Sequence, residues 1–293
     1  MAPFDLFISY RRKDAARVLP LVDALRDHGL HVWLDQRDIG DFAPITGEIR
    51  TGLANSKALL AWYSADYPRS RPCQMELTAA FLAAQHEGDP RRRVLAINPE
   101  TSAAHVEPVE LRDEQHPPAP TDRAGYDALA ARVAAHVQTL ATPLGAILPA
   151  MPPRQYGLKL AGASRFVGRT RDLWRLHSAL HGAESAIITG TTASGLAQVQ
   201  GMGGVGKSLL TEEYALRFGA AYPGGMFWLR ALGNDAARPA PGPEHQEAVR
   251  SEQFHTLAVA LGIEVAGRTP LQVEAALAVT LAQAEQPFLW VVD

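Results

Sequence analysis

Short apolar runs alternate with helix-like patterns along the first half of the chain. Four runs have the length and composition of buried strands: FDLFISY, LHVWLD, KALLAWYS and RVLAIN. After the first run, Val18, Leu21, Val22 and Leu25 recur at helical spacing, and Gly29 provides a stop signal. Strands that alternate with helices predict an α/β fold, in which helices cover both faces of a parallel sheet.

Two further helices are predicted around the third and fourth runs. The first is indicated by three apolar positions: Ile45, Ile49 and Leu53. The second closes the domain, begins at Thr121 or Asp122, and has six apolar positions: Tyr126, Leu129, Ala130, Val133, Val137 and Leu140. Residues 99–120 are polar and rich in proline, and the pattern places no fifth strand in them.

The segment SRPCQMELTAAFLA, residues 70–83, predicts a helix with one carboxylate in an unexpected place. Ser70 is a suitable cap, and Pro72 fits the first turn, where its missing N–H is harmless. At about 100° per residue, a narrow polar edge is formed by three residues: Gln74, Thr78 and Gln85. Glu76 falls nearly opposite, within the apolar arc. Glu76 is there either because a negative charge stabilises the first turns of a helix or because it has a function. The segment alone leaves both interpretations open.

The predicted topology places Glu76 near other polar segments. In open parallel sheets, sites form beyond the carboxyl ends of the strands. Three segments converge at that edge, one after each of the first three strands: Ser9–Lys13, Asp35–Phe42 and Ser64–Glu76. Glu76 therefore belongs to the rim where a ligand would bind, which favours the functional interpretation.

Composition limits the classes of function. A length of 293 residues predicts about two domains, and the net charge of -3 argues against a nucleic-acid-binding protein. The single cysteine, Cys73, excludes an intramolecular disulfide and suggests a reducing compartment. The N-terminus lacks the order of a secretory signal, and no run of about 18 apolar residues occurs. The sequence therefore predicts a cytoplasmic protein with no membrane or nucleic-acid partner.

Several segments occur in an order that resembles a TIR domain. They are DLFISYRR, VWLDQRDI, Ser56 before ALLAWYS, and CQMEL, and together they span about residues 4–140. The resemblance implies a flavodoxin-like TIR domain over residues 1–142 that cleaves NAD+, with Glu76 as the catalytic residue. It also places five residues beside the substrate: Ser9, Tyr10, Arg11, Trp33 and Cys73.

Two segments depart from the family pattern. The second box reads DIGDFAP where members often have a Pro-Gly pair. Pro72 and Cys73 precede Glu76 where some NAD-cleaving members have a tryptophan.

The chemistry itself needs little more than one placed acid, because nicotinamide is already a cationic leaving group in NAD+. One carboxylate near the ribose can stabilise the oxocarbenium-like sugar that forms.

The character of the sequence changes after Leu140. The stretch ATPLGAILPAMPPRQYGLKLAGAS has four prolines and no strong period. Residues 143–163 are therefore predicted to be a linker that acts as a semi-stiff tether. A second domain is predicted over residues 164–293.

The motif GMGGVGKS, residues 201–208, is a complete G-x-x-x-x-G-K-S phosphate loop. Lys207 would reach the terminal phosphates of a nucleotide, and the Ser208 hydroxyl would bind Mg2+. The phosphate cradle comprises five residues ahead of them: Gly201, Gly203, Gly204, Val205 and Gly206. LAQVQ is a predicted strand just before the motif and SLLTEEYALRF a predicted helix just after it. A glycine-rich surface turn is therefore the weaker interpretation.

Two further segments resemble the STAND or NB-ARC signalling ATPases. FVGRTRDLWRLHSAL resembles their opening, whose Val-Gly-Arg segment packs beside adenine and corresponds here to Val167, Gly168 and Arg169. PFLWVVD resembles the Walker B strand, with Asp293 facing Mg2+, and an ordinary buried strand is the alternative. The resemblance implies the first part of a P-loop α/β domain that binds ATP or ADP with Mg2+. A following region that senses a trigger is expected to be missing.

Together these resemblances predict a TIR effector joined to a STAND-type nucleotide switch, as in bacterial antiviral defence proteins. ATP would assemble the chain into an oligomer through its TIR domains, and the oligomer would consume NAD+. One alternative is a non-catalytic TIR adaptor that binds other TIR domains. Another is a nucleotide-driven regulator whose TIR domain is only a docking surface. The acid at position 76 favours the catalytic interpretation.

Overall fold

The computed structural model describes most of the chain, in eight ranges. They are residues 4–34, 45–147, 155–157, 166, 168–181, 197–200, 206–231 and 242–292, with the backbone alone for residues 45–48. Contacts divide the chain into two compact units. The first comprises residues 1–148 and 166–199, and the second comprises residues 149–165 and 200–293.

The first unit contains a parallel sheet of four strands. In chain order the strands are β1 (Phe4–Ser9), β2 (Val32–Trp33), β3 (Ser56–Trp62) and β4 (Val94–Ile97). In the sheet they lie side by side in the order β2-β1-β3-β4. In the central strand, Leu6 lies beside Val32 on one side and Ala58 on the other. The four predicted strands are confirmed. Because all of them run parallel, their carboxyl ends meet at one edge of the sheet.

Within the described ranges, six α-helices belong to this unit. They are α1 (Ala15–Asp27), α2 (Ile45–Ala54), α3 (Arg71–Gln85), α4 (Val109–Arg112), α5 (Arg123–Val137) and α6 (Thr170–His181). The Ser70 side chain accepts a hydrogen bond from the N–H of Cys73, which confirms the predicted cap of α3. Asp122 caps α5 through the N–H of Gly125 at 2.8 Å, which decides between the two predicted caps.

Side chains along β1 alternate between the two faces of the sheet. Leu6 and Ile8 belong to a core that α1 and α5 share, with Val22 and Val133 among its buried members. Phe7 and Ser9 point to the opposite face, where α2 and α3 lie. Helices therefore cover both faces, as the alternating pattern predicts.

Residues 99–120, in which no fifth strand is predicted, contain none. Hydrogen bonds from side chains hold this stretch in place, where a strand would be held by backbone pairing with its neighbour. The Tyr63 hydroxyl donates to the backbone carbonyl of Glu107 at 2.9 Å and accepts from its N–H at 3.1 Å. The ring of His116 bonds the carbonyl of Ala96 on β4 at 3.2 Å. A segment held in this way needs no alternation of apolar and polar residues, and its sequence shows none.

Helix α6 belongs to the first unit, whereas the sequence places it at the start of the second domain. Its residues Leu173, Trp174 and His177 are each 1% exposed. The apolar stripe of an amphipathic helix shows that the helix packs on something, but it does not identify the surface. The first compact unit therefore includes residues that the sequence assigns to the second domain, beyond the predicted boundary at residue 164.

Acid is expected to destabilise the packing of α6. Burial, with a contribution from His181, holds the pKa of His177 well below its ordinary value of 6.5. The unfolded chain therefore binds the proton first, so the stability that neutral His177 provides is present above pH 6.5 and lost as the pH falls. We expect a loss of about 1 kcal/mol for each pH unit below 6.5.

This pH dependence is measured as the free energy of unfolding between pH 5 and 8. His177→Gln keeps an N–H for its partner Gln85, which lies 2.8 Å from the His177 ring, and cannot titrate. It should flatten the slope. An unchanged slope in His177→Gln would contradict this assignment.

The second unit contains a parallel sheet in the order β5-β6-β7, built from β5 (Gln155–Tyr156), β6 (Met226–Leu229) and β7 (Leu289–Val292). Tyr156 stacks on Phe227 with ring centroids 4.9 Å apart and an interplanar angle of 4°. Residues 155–156 thus form a strand inside the predicted linker, because the aromatic pair gives a two-residue strand a buried partner. The strand predicted from PFLWVVD is confirmed as β7.

Three α-helices of the second unit lie in its described ranges: α7 (Lys207–Phe218), α8 (Pro243–Ala260) and α9 (Pro270–Gln283). Helix α7 confirms the helix predicted after the phosphate-loop motif. The strand predicted from LAQVQ is wrong for residues 197–200, which are half-buried or exposed and not in a strand, since a central strand is buried on both faces. Across the described ranges, no helix has the length and apolar character needed to cross a membrane.

Candidate active site

The carboxylate of Glu76 lies at the carboxyl end of β1. Glu76 is in the second turn of α3 and is half-buried. The Ser9 hydroxyl, on the last residue of β1, donates to Oε2 of Glu76 at 2.6 Å. Ser9 itself is only 1% exposed. The acid that a helical wheel places in the apolar arc therefore faces a polar group at the rim of the sheet.

Tyr67 extends this contact into a short chain of hydrogen bonds. Its hydroxyl lies 2.7 Å from Oγ of Ser9 and 3.3 Å from the backbone carbonyl oxygen of Cys73. Because Ser9 donates its own proton to Glu76, the Tyr67 hydroxyl is the donor in the shorter contact. Burial, with contributions from Cys73 and Glu76, raises the pKa of Tyr67 well above its ordinary value. Tyr67 is therefore a neutral donor at physiological pH, and it holds Ser9 in the orientation that faces Glu76.

Cys73 joins the same cluster as a thiol. Its Sγ donates to the backbone carbonyl of Tyr10 at 3.4 Å. Burial and the nearby charge of Glu76 raise the pKa of Cys73 to about 11. A thiol with this pKa is a weak nucleophile at neutral pH, because the thiolate is the reactive form. Cys73 therefore ties the start of α3 to the loop after β1.

Of the other residues predicted beside the substrate, Tyr10 and Arg11 follow Ser9 and are half-buried. Within the described chain, Nε of Arg11 is buried and has no hydrogen-bond partner. Trp33 is different, since it is 3% exposed and stacks on Phe7 with ring centroids 4.5 Å apart. A Cβ on Gly52 of α2 would lie 2.3 Å from the Trp33 ring, so α2 covers the indole. The structure thus places Trp33 in the core beneath this edge.

Two loops at this edge are joined by contacts that the sequence analysis missed. Lys13 and Arg69 both pair with Asp66, the latter at 3.0 Å. The Ser64 hydroxyl donates to the buried carboxylate of Asp14 at 2.7 Å. Except for Asp14, which directly follows the first segment, these residues lie, like Tyr67, in segments predicted to converge, but no spacing or motif distinguishes them from ordinary loop residues. Asp35–Phe42, the third converging segment, lies outside the described residues.

The second predicted site lies at the start of α7 in the second unit. Gly206 has a φ of +80°, the left-handed conformation that glycine adopts at little cost. Lys207 and Ser208 follow it in the first turn, where backbone N–H groups and the helix dipole favour an anion. The remaining predicted residues lie outside the described residues: Gly201, Gly203, Gly204, Val205 and Asp293.

The residues predicted to pack beside adenine fall in the other unit. Val167 lies outside the described residues, Gly168 has a φ of +87°, and Arg169 precedes α6 in the first unit. Nε of Arg169 pairs with Asp172 at 2.9 Å, within the first turn of that helix. Arg169 is therefore held by α6 in this structure.

One comparison with known proteins identifies a family within the first unit. Residues 6–129 match the family model described as TIR domain. Among solved structures, the chain is similar to the TIR domain of the Toll-related receptor TRR-2 from Hydra magnipapillata. The identity is 18%, the TM-score is 0.31, and the match covers 39% of this chain and 82% of that one. Comparison with curated proteins finds no match. The family match supports a TIR domain at residues 6–129, a domain type of signalling and defence proteins.

Proposed function

We propose that the first unit cleaves the bond between nicotinamide and ribose in NAD+, with Glu76 as the catalytic residue. The observation that carries this proposal is the 2.6 Å hydrogen bond from Ser9 to Glu76 at the carboxyl ends of the strands. It orients a half-buried carboxylate at the edge where ligands of parallel sheets bind. TIR domains include NAD+ glycohydrolases, and the residue of this chain that matches their glutamate is Glu76.

The cleavage proceeds without a general acid. The carbon–nitrogen bond to ribose breaks, its electron pair goes to the nicotinamide ring nitrogen, and the ribose becomes an oxocarbenium-like cation. The carboxylate of Glu76 stabilises this cation, and water then attacks the same carbon and releases a proton to the solvent. Because a half-buried carboxylate interacts more strongly than one in bulk water, one oriented acid supplies a large share of the catalysis.

Arg11 is the second residue in this proposal. Its buried Nε, unpartnered within the described chain, can donate to an anion. NAD+ carries a pyrophosphate, and a guanidinium is well suited to bind phosphate oxygens. Arg11 follows the strand that presents Ser9 to Glu76, so phosphate binding there is compatible with the ribose near Glu76. Arg11 would therefore contribute to substrate affinity.

The second unit is proposed to bind ATP or ADP and to control assembly of the TIR domains. Lys207 and Ser208 at the start of α7 fit a phosphate, since the left-handed Gly206 directs the chain into a helix N-terminus. Lys207 would contact the terminal phosphates, and Ser208 would hold Mg2+, which screens their charge. Self-association of clustered TIR domains would then complete the NAD+ site.

The assembly step is tested by attaching the full chain to beads at low and high density and measuring NAD+ loss per molecule. We expect activity per molecule to increase with density, without ATP. Density-independent activity would contradict control by assembly. No NAD+ loss at any density, together with binding of free TIR domains to the beads, would favour the non-catalytic adaptor.

Ser9→Ala is expected to reduce kcat about tenfold with little change in KM, because the variant loses the group that orients Glu76. The fold should persist, since alanine is smaller than serine and remains in the buried strand. Ser56→Ala is the matched control, a buried serine at the other end of the sheet that donates to the carbonyl of Gly52 at 2.8 Å. Equal kcat values for the parent and Ser9→Ala would remove Ser9 from the mechanism.

A further inference from the structure

Helix α6 lies beyond the residues that match the TIR family model, yet it packs on the helix that carries Glu76. Nε1 of Trp174 donates to the side-chain oxygen of Gln74 on α3 at 3.0 Å. The Trp174 ring also meets Phe81 edge to face, with centroids 5.2 Å apart. One turn further along each helix, the His177 ring bonds Gln85 at 2.8 Å. Two residues of α6, one turn apart, therefore contact three residues of α3: Gln74, Phe81 and Gln85.

The same helix is tied to the segment around α4. Nε of Arg171 pairs with Oε1 of Glu107 at 2.8 Å. Glu107 is 4% exposed and also pairs with Arg112 at 2.5 Å. Since a buried carboxylate needs compensating charge, Arg171 supplies part of what keeps Glu107 in place. Ser178 adds a hydrogen bond to Glu110 at 3.0 Å.

These contacts explain the polar edge of α3. Gln74 and Thr78, which a wheel predicts to face solvent, are 3% and 8% exposed. Met75, from the apolar arc, is 50% exposed. Gln74 and Glu76 are two residues apart, about 200° around the helix, so they face nearly opposite directions. Helix α3 is thus held by Ser9 at Glu76 on one side and by Trp174 at Gln74 on the other.

The contact between the helices is polar as well as buried. A buried Gln side chain that loses its partner is strongly unfavourable, so the Trp174–Gln74 pair makes docking specific for one register of α6.

We propose that α6 positions Glu76: Trp174 and Gln74 are positioning residues that hold α3, and loss of their contact lowers catalysis. This inference rests on the proposed NAD+ cleavage and adds the residues that position its carboxylate. The TIR unit thus extends to His181.

The test uses the full chain and three variants. Trp174→Phe removes the donor to the Gln74 side-chain oxygen, and Gln74→Met removes the side-chain acceptor to which the Trp174 N–H donates. The double variant removes both polar groups while nearly conserving volume, so docking should recover. Leu271→Ala, at a 75% exposed position of α9, is the control. Two quantities are measured for each protein: kcat and KM for NAD+, and hydrogen exchange of the amides of residues 71–85.

Each single variant is expected to raise amide exchange in α3 at least about tenfold and to lower kcat at least about fivefold, with KM changed less than twofold. The double variant should return both quantities to near the parental values. Faster exchange in α6 with unchanged exchange in α3 would overturn the proposal. So would faster exchange in both helices with a parental kcat.

The outcome also separates this inference from the proposed function. If the parent chain cleaves no NAD+ at any density, the proposed function fails. The exchange data then decide the inference alone. Coupled exchange of α6 and α3, restored in the double variant, would support a positioning contact, and independent exchange would overturn it.

Discussion

Glu76→Gln is expected to reduce NAD+ cleavage by at least ~100-fold. Glutamine keeps the shape of the side chain and can still accept a hydrogen bond from Ser9, which lies 2.6 Å from Oε2 in the parent. It lacks the negative charge that, in the proposed mechanism, would stabilise the oxocarbenium-like ribose. The loss should therefore appear in kcat, measured as nicotinamide released per clustered molecule, while the unfolding midpoint stays near that of the parent.

A matched acid-to-amide exchange controls for charge. Asp127→Asn removes a carboxylate from the exposed surface of α5, where it pairs with His28 at 2.9 Å. That variant should keep parental turnover, because an exposed pair contributes little to stability and is remote from Ser9 along the sheet. Turnover in Glu76→Gln within a few fold of the parent would exclude Glu76 as the catalytic residue.

Lys207→Ala is expected to weaken binding of ATP with Mg2+ by at least about 100-fold. The lysine is the one side-chain cation of the motif GMGGVGKS, and it lies in the first turn of α7, directly after the left-handed Gly206. Without it, backbone N–H groups must hold the terminal phosphates alone. Titration calorimetry with the full chain and ATP measures the difference.

The control for Lys207→Ala is Arg250→Ala, which removes an exposed cation of α8 in the same unit. It should leave the affinity for ATP unchanged. NAD+ cleavage by densely clustered Lys207→Ala should also match that of the parent, because assembly is then imposed from outside. If Lys207→Ala binds ATP as tightly as the parent, the motif is not a phosphate cradle.

Local patterns predicted much of the first unit. Each of the four apolar runs is a strand, and the polar residues at their carboxyl ends meet as the parallel topology requires. Glu76 was identified because an acid interrupts an apolar arc on a helix that begins at this edge. Tyr67, which holds Ser9, had no such signal, since one aromatic residue in a loop is equally common in structural roles.

The polar edge of α3 shows what a single helix cannot reveal. Gln74 faces Trp174, which lies a hundred residues later in the sequence. A helical wheel sorts residues by face, but it does not say whether the polar face meets water or another helix. Tyr156 is similar, because its partner Phe227 is remote in the sequence and the strand around it has only two residues. Long-range partners of this kind leave no local period.

Long-range contacts also affect the tether that the sequence predicts between the two domains. Residues 143–163 have the composition of a linker, and a tether would couple the units through proximity alone. Gln155–Tyr156 pair with β6 in the second unit, and α6 packs on α3 in the first. Residues 155–156 and 170–181, the paired strand and the helix within these segments, are thus each packed on one unit.

Cleavage of NAD+ itself is tested most directly by proton magnetic resonance of NAD+ mixed with the full chain at high density on beads. The ring protons of bound and free nicotinamide have distinct signals. We predict that free nicotinamide appears one-for-one with NAD+ lost, and that beads carrying Glu76→Gln leave the spectrum unchanged over the same period. An unchanged NAD+ spectrum with the parent chain, or equal nicotinamide release by both proteins, would contradict the account.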